Sequence, residues 1–197
     1  MTGTSVTRKD LIVAAFSVLL GTTGGIAAAS VEIVSTAPDS LKVSSGETLA
    51  QVAHAIGYQI YACTARNDQT GFEWVLKAPE ADLFDHAGKT LGKHYAGPTW
   101  ESVDGSKVVG ELKARADSPD GQSIPWLLLK AKSRAGEGRF AAVTSIQRIE
   151  TVGGNPPVQA CDQTQRGEVS RVPYAATYLF YASTARGNET RESQIDY

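Results

Sequence analysis

The sequence predicts a single all-β domain, mainly antiparallel, built as a β-sandwich or barrel. Two observations carry this. Runs rich in β-branched and aromatic residues are short and bounded by glycine, proline or aspartate. They follow one another without the long amphipathic segments that would alternate with a parallel sheet.

Residues 1–29 read as an export signal. Arg8 and Lys9 form a short basic start, Leu11 to Gly25 a moderately apolar run, and Ala27-Ala28-Ala29 the small residues a signal peptidase requires. Gly21, Gly24 and Gly25 break the run, which is too short for a membrane span of about 20 apolar residues. The expected product is secreted or periplasmic, with no transmembrane segment once the signal is removed. Lys9 stands where a twin-arginine signal would carry its second arginine, so both that route and ordinary secretion remain open.

Residues 30–182 then form the β domain, and 183–197 a polar tail. A chain of 197 residues supports one sizeable core. The net charge of −2 is nearly balanced and no basic stripe occurs, which argues against a nucleic-acid partner. In an oxidising compartment the even pair Cys63 and Cys161 is most simply a disulfide.

Within the domain, Phe72 to Leu76 reads as a strand closed by Ala78-Pro79. Trp100 to Val103 and Lys107 to Leu112 flank Asp104-Gly105, a dipeptide suited to a tight hairpin. Ile124 to Leu129 is apolar on both faces, so it predicts a central, doubly covered strand with Trp126 in the core. Val143 to Val152 and Tyr174 to Ala182 complete the set. Leu49, Val52, Ala53 and Ile56 fall at helical spacing behind a Ser44/Glu47 capping-box pair, with Gly57 at a helix C-terminal position. This predicts one short helix near the start of the mature chain, unless Gly57 is a bulge in one long strand.

No nucleophile elbow or His-Glu-x-x-His motif occurs, and Gly88-Lys89-Thr90 lacks the first glycine of a phosphate loop because Leu83 stands there. The polar block 85–106 holds the candidate ligand-binding residues His86, His94, Tyr95, Trp100, Glu101 and Asp104. Aromatic faces beside carboxylates suit a sugar ring, whereas imidazoles and carboxylates suit zinc or copper, or acid–base work. His86 and His94, the metal candidates, are eight positions apart with two glycines between, which matches no compact metal motif. Trp100 fits a core position and an exposed platform equally. No catalytic residue is assigned. The expected function is an exported binding or surface module without a cofactor, its ligand class an envelope glycan or other surface ligand. The alternative is a metal- or histidine-dependent enzyme centred on this block, with zinc or copper.

The ordered set Gly57 to Cys63, Gly92 to Glu101 with Asp104-Gly105-Ser106, and Ile124 to Leu129 resembles the family known as domain of unknown function 3455. Ile146-Gln147-Arg148, Thr151 to Gly154, Cys161-Asp162 and Val172-Pro173-Tyr174 extend the resemblance over residues 38 to 182. It implies a secreted single-domain protein and favours strand over helix before Gly57. It transfers no catalytic residue.

Overall fold

A computed structural model describes residues 37–184, so the expected signal 1–29 and most of the 183–197 tail lie outside the described residues. Eight antiparallel strands follow one another around a closed barrel: β1 (Glu47–Ala65), β2 (Phe72–Phe84), β3 (Thr90–Tyr95), β4 (Thr99–Ser102), β5 (Lys107–Ala116), β6 (Trp126–Ala135), β7 (Val143–Gly153) and β8 (Val169–Ser183). β1 closes the barrel by pairing with β8 from Glu47↔Ser183 to Ala62↔Val169. The last strand therefore continues to Ser183, where the sequence places the start of the tail.

The stretch before Gly57 is strand, not helix. Ser44 and Glu47 do form their expected pair, the Ser44 amide donating to Glu47 Oε2 at 3.0 Å, but the pair opens β1. Ala53 and Ala55 face the interior and Ala81 lies opposite Gly57, so this part of the first strand packs inward with small side chains. Gly57 itself is a point of close approach: a Cβ there would meet Glu80 O at 2.1 Å. The irregularities of β1 fall elsewhere, between Leu49/Gln51 and between Ile60/Tyr61.

β2 runs through Pro79 to Phe84 instead of ending at it. Its second neighbour, β3, pairs only from Ala81 to Phe84. Over Phe72–Glu80 β2 is thus an edge strand, and an edge tolerates a proline.

The core has two layers. Inside the barrel lie Trp100, Tyr178, Phe180, Phe140, Ile146 and Leu129, among others. Outside it, Trp126, Leu128, Ile149, Leu179 and Tyr181 form a second cluster closed over by Leu41 of a short 3-10 turn, Asp39–Leu41. This explains the apolar run of β6: Leu129 faces in, while Trp126 and Leu128 face out beneath the strap. The Gln147 amide donates to Leu41 O at 2.6 Å and accepts from the Tyr181 hydroxyl at 2.8 Å, fixing the strap to the wall.

Cys63 and Cys161 are joined, their Cα atoms 5.6 Å apart. The bridge ties the end of β1 to the β7–β8 loop, which is also held where Trp74 Nε1 donates to Gln159 O.

Candidate functional site

The 85–106 block folds as the short β3–β4 hairpin with its flanking turns, and strand alternation decides where its side chains go. His86 is exposed in the β2–β3 turn, where Asp85 accepts from the amides of Ala87 and Lys89. His94 and Trp100 are cross-strand partners and both point into the barrel. Tyr95 and Glu101 point outward, with the Tyr95 hydroxyl 2.7 Å from Glu101 Oε2 and Lys107 Nζ 3.2 Å from Glu101 Oε1. Asp104 accepts from the Ser106 amide and hydroxyl and from the Arg139 amide, so it pins its own turn to the β6–β7 loop.

The candidates therefore occupy separate places. His86 lies in the turn before β3 and His94 within β3 near its far end, one exposed and one buried. Among the described residues, no three His, Cys, Asp or Glu side chains gather as a metal-ligand group. The imidazole of His94 contacts Thr99 O through Nδ1 at 2.9 Å. Burial pushes its pKa down to about 3, with the nearby Arg148 adding to the effect and Thr99 O opposing it. It is a neutral ring at physiological pH.

The hairpin is short, and this opens the barrel wall. β4 pairs with β5 only from Thr99↔Val109 to Glu101↔Lys107. Beyond the hairpin tip, β2 and β5 have no strand between them. A cavity of about 270 Å³ enters there. Its mouth is apolar, formed by Leu76 and Pro79 of β2, Pro98 of the tip and Leu112 of β5. Leu112 lies opposite Leu129 on the inward register, yet is 52% exposed because the wall is missing beside it.

The inner end of this cavity is polar. Gln59, His94, Trp100, Arg148 and Tyr178 line it. Both amide atoms of Gln59 and the Trp100 Nε1 are buried without a hydrogen-bond partner, although each residue is only 1% exposed. The Tyr178 and Tyr174 hydroxyls lie near one another and near Arg148 without forming an aligned bond. Burial raises both phenol pKa values, so both hydroxyls keep their protons.

Arg148 faces inward because its cross-strand partners, Leu127 and Tyr178, do. Its Nε and Nη2 both donate to Pro125 O, at 3.1 and 2.8 Å. Among the described residues it forms no ion pair. Sequence reasoning gave Gln59, Arg148 and Tyr178 no role. The signal available was parity: each is a polar group on the same strand face as apolar interior residues.

A larger depression, about 790 Å³, runs past Ile56, Tyr58, Val152 and Arg171 on the surface and also meets His94 and Tyr174. Its charges already satisfy one another: Arg171 pairs with Glu80 at 2.6 Å and stacks over Tyr58, and Lys93 pairs with Asp82. Apart from the Trp126 Nε1 in the outer cluster, the buried unsatisfied side-chain groups among the described residues are in the barrel, and the candidate site is there.

A family model described as "Protein of unknown function (DUF3455)" matches residues 44–182, and the chain belongs to that family. No curated protein and no solved structure shows significant similarity to it.

Proposed function

For a member of a family without an assigned activity, we propose that this protein is an exported binding module that holds one small molecule inside its barrel, admitted through the β2–β5 gap. One observation carries the reading: the Gln59 amide and the Trp100 indole N–H line a cavity with no protein partner. An unpaired buried polar group costs about 1–3 kcal/mol, a cost that a ligand's hydrogen bonds would remove. An eight-stranded barrel has an interior just wide enough to be filled by side chains or to hold one small ligand. The Cys63–Cys161 bridge suits an oxidising compartment and so supports export.

The geometry favours an enclosed molecule over a glycan laid on the 85–106 block. A sugar platform needs an exposed aromatic face, and Trp100 spends its face on His94. The polar groups at the inner end of the cavity are an amide, an imidazole, an indole, a phenol and a guanidinium, which suit recognising and orienting a ligand.

The test is a fragment screen read by the three tryptophan indole N–H resonances. Binding in the barrel moves the Trp100 signal. It leaves Trp74, bonded to Gln159 O, and Trp126, in the outer cluster, where they are. A screen in which no fragment moves Trp100 would overturn the reading.

A further inference from the structure

We infer that the barrel's ligand is the anion of a small organic acid, its carboxylate at the inner end of the cavity and its apolar body toward the mouth. The inference rests on the binding reading above and adds the ligand's charge and orientation.

The charge balance of the cavity is one-sided. Arg148 lines its inner end and Lys77 its rim, and no aspartate or glutamate lines it. Arg148 is half-buried, and a guanidinium partly withdrawn from water favours a carboxylate partner. Arg148 gives two of its nitrogens to the single carbonyl of Pro125 and has the neutral Tyr178 hydroxyl beside it, but no carboxylate. The neighbouring His94 is neutral and supplies no counter-charge.

The hydrogen-bonding inventory agrees. Arg148 and the Trp100 indole only donate, the Tyr178 phenol keeps its proton to donate, and Gln59 offers an amide N–H₂ beside its carbonyl. A carboxylate, acceptor-only with two oxygens, complements this set, and charge-assisted bonds to it are roughly twice as strong as neutral ones. A cation in the same place would meet the Arg148 charge, with only two neutral acceptors to set against it, Gln59 Oε1 and the Nε2 of His94, whose Nδ1–H is given to Thr99 O. The outer half of the cavity is lined mainly by Leu76, Pro79, Pro98, Leu112 and Leu127, with Lys77 the one charged group at its exposed rim. A volume of about 270 Å³ lies just below the usual range for drug-sized ligands, so the acid is small and carries one headgroup.

The experiment titrates the wild-type protein with matched series of probes: hexanoate, octanoate, benzoate and phenylacetate against the corresponding primary alcohols and amines. The Trp100 indole resonance reports binding. The acids should bind at least about tenfold tighter than the alcohols, and the amines more weakly than either. Arg148→Met should weaken the acids far more than the alcohols and so remove that advantage. Lys77→Met, at the exposed rim, should weaken acids slightly and serves if the Arg148 variant does not fold. Alcohols or amines that move Trp100 as tightly as acids would overturn the acid assignment and leave the binding reading standing. If no acid moves Trp100 but another fragment does, the assignment likewise falls alone. Failure of every fragment to move Trp100 sinks both.

Discussion

His94 lies flat against Trp100, with ring centroids 4.4 Å apart and planes 8° from parallel. The two are cross-strand partners on β3 and β4, and Tyr178 closes the stack edge-on at 5.1 Å from His94. Strand pairing thus places an imidazole among buried aromatic rings. The ring is kept neutral by its surroundings, and that neutrality is coupled to the fold.

The coupling predicts acid sensitivity. The unfolded chain protonates His94 below about pH 6.5, whereas the folded state resists protonation until about 3. Its contribution is therefore complete above 6.5 and is lost as pH falls toward 3. Over that window stability drops by up to about 1.4 kcal/mol per pH unit from this residue. Glu47 acts lower: burial works to raise its pKa, but hydrogen bonds from Ser145, Thr144 and Lys130 outweigh it and bring it to about 2. Urea unfolding from pH 8 to 3 should show the slope beginning near 6.5. In His94→Gln it should begin only near 4.5, where the carboxylates start to titrate; an unchanged profile would mean that His94 is hydrated.

Gly57 allows a second test. Adding a methyl group places it 2.1 Å from Glu80 O and 2.5 Å from Ala81 Cα, both backbone atoms that cannot rotate away. Gly57→Ala should lose at least the about 1–3 kcal/mol typical of overpacking, with β1 and β2 forced apart. Thermal melting measures it, and a variant within about 0.5 kcal/mol of wild type would mean that β1 and β2 are farther apart here.

Much of this fold can be read from residue types, and particular elements show where reading stops. The double apolar face of Ile124 to Leu129 marks a strand covered on both sides, and β6 is one. That the outer cover is a single 3-10 turn around Leu41 is not visible, because the contact joins segments more than 80 residues apart in sequence and leaves no local periodicity. The helical spacing of Leu49, Val52, Ala53 and Ile56 misleads for a physical reason. Ala53 faces the barrel interior while Val52 packs on the outer cluster, so β1 needs apolar residues on both faces. In the 85–106 block, the hairpin dipeptide is legible, but alternation sends His94 and Trp100 inward and Tyr95 and Glu101 outward. Gln59 and Arg148 carry no motif at all. Only their inward register, together with a hairpin too short to complete the wall, makes them a candidate site.

The disulfide should contribute strongly to stability. Its partners are separated by 98 residues, and the chain-entropy model assigns about 4–5 kcal/mol to a loop of that length. The double variant Cys63→Ala/Cys161→Ala should melt well below wild type. Free-thiol titration of denatured, unreduced wild type should find none. The Trp74–Gln159 bond holds the same loop, so the barrel should keep its β-sheet circular dichroism when the bridge is gone.

The strap over the outer wall makes the last prediction. Leu41 is fully buried against the Trp126 cluster, and the Gln147 amide reaches its carbonyl. Trp126→Ala should cost about 3–5 kcal/mol, and Leu41→Ala about 2–5 kcal/mol, because each opens a cavity in the same cluster. Residues sharing one cluster do not add independently. Once Trp126 is gone, the strap has little left to pack on, so the double variant should lose clearly less than the sum of the two. Urea unfolding of the two single variants and the double variant checks this. Strict additivity would mean that Leu41 and Trp126 do not depend on each other, and that the strap is held to the barrel by the Gln147 hydrogen bond alone.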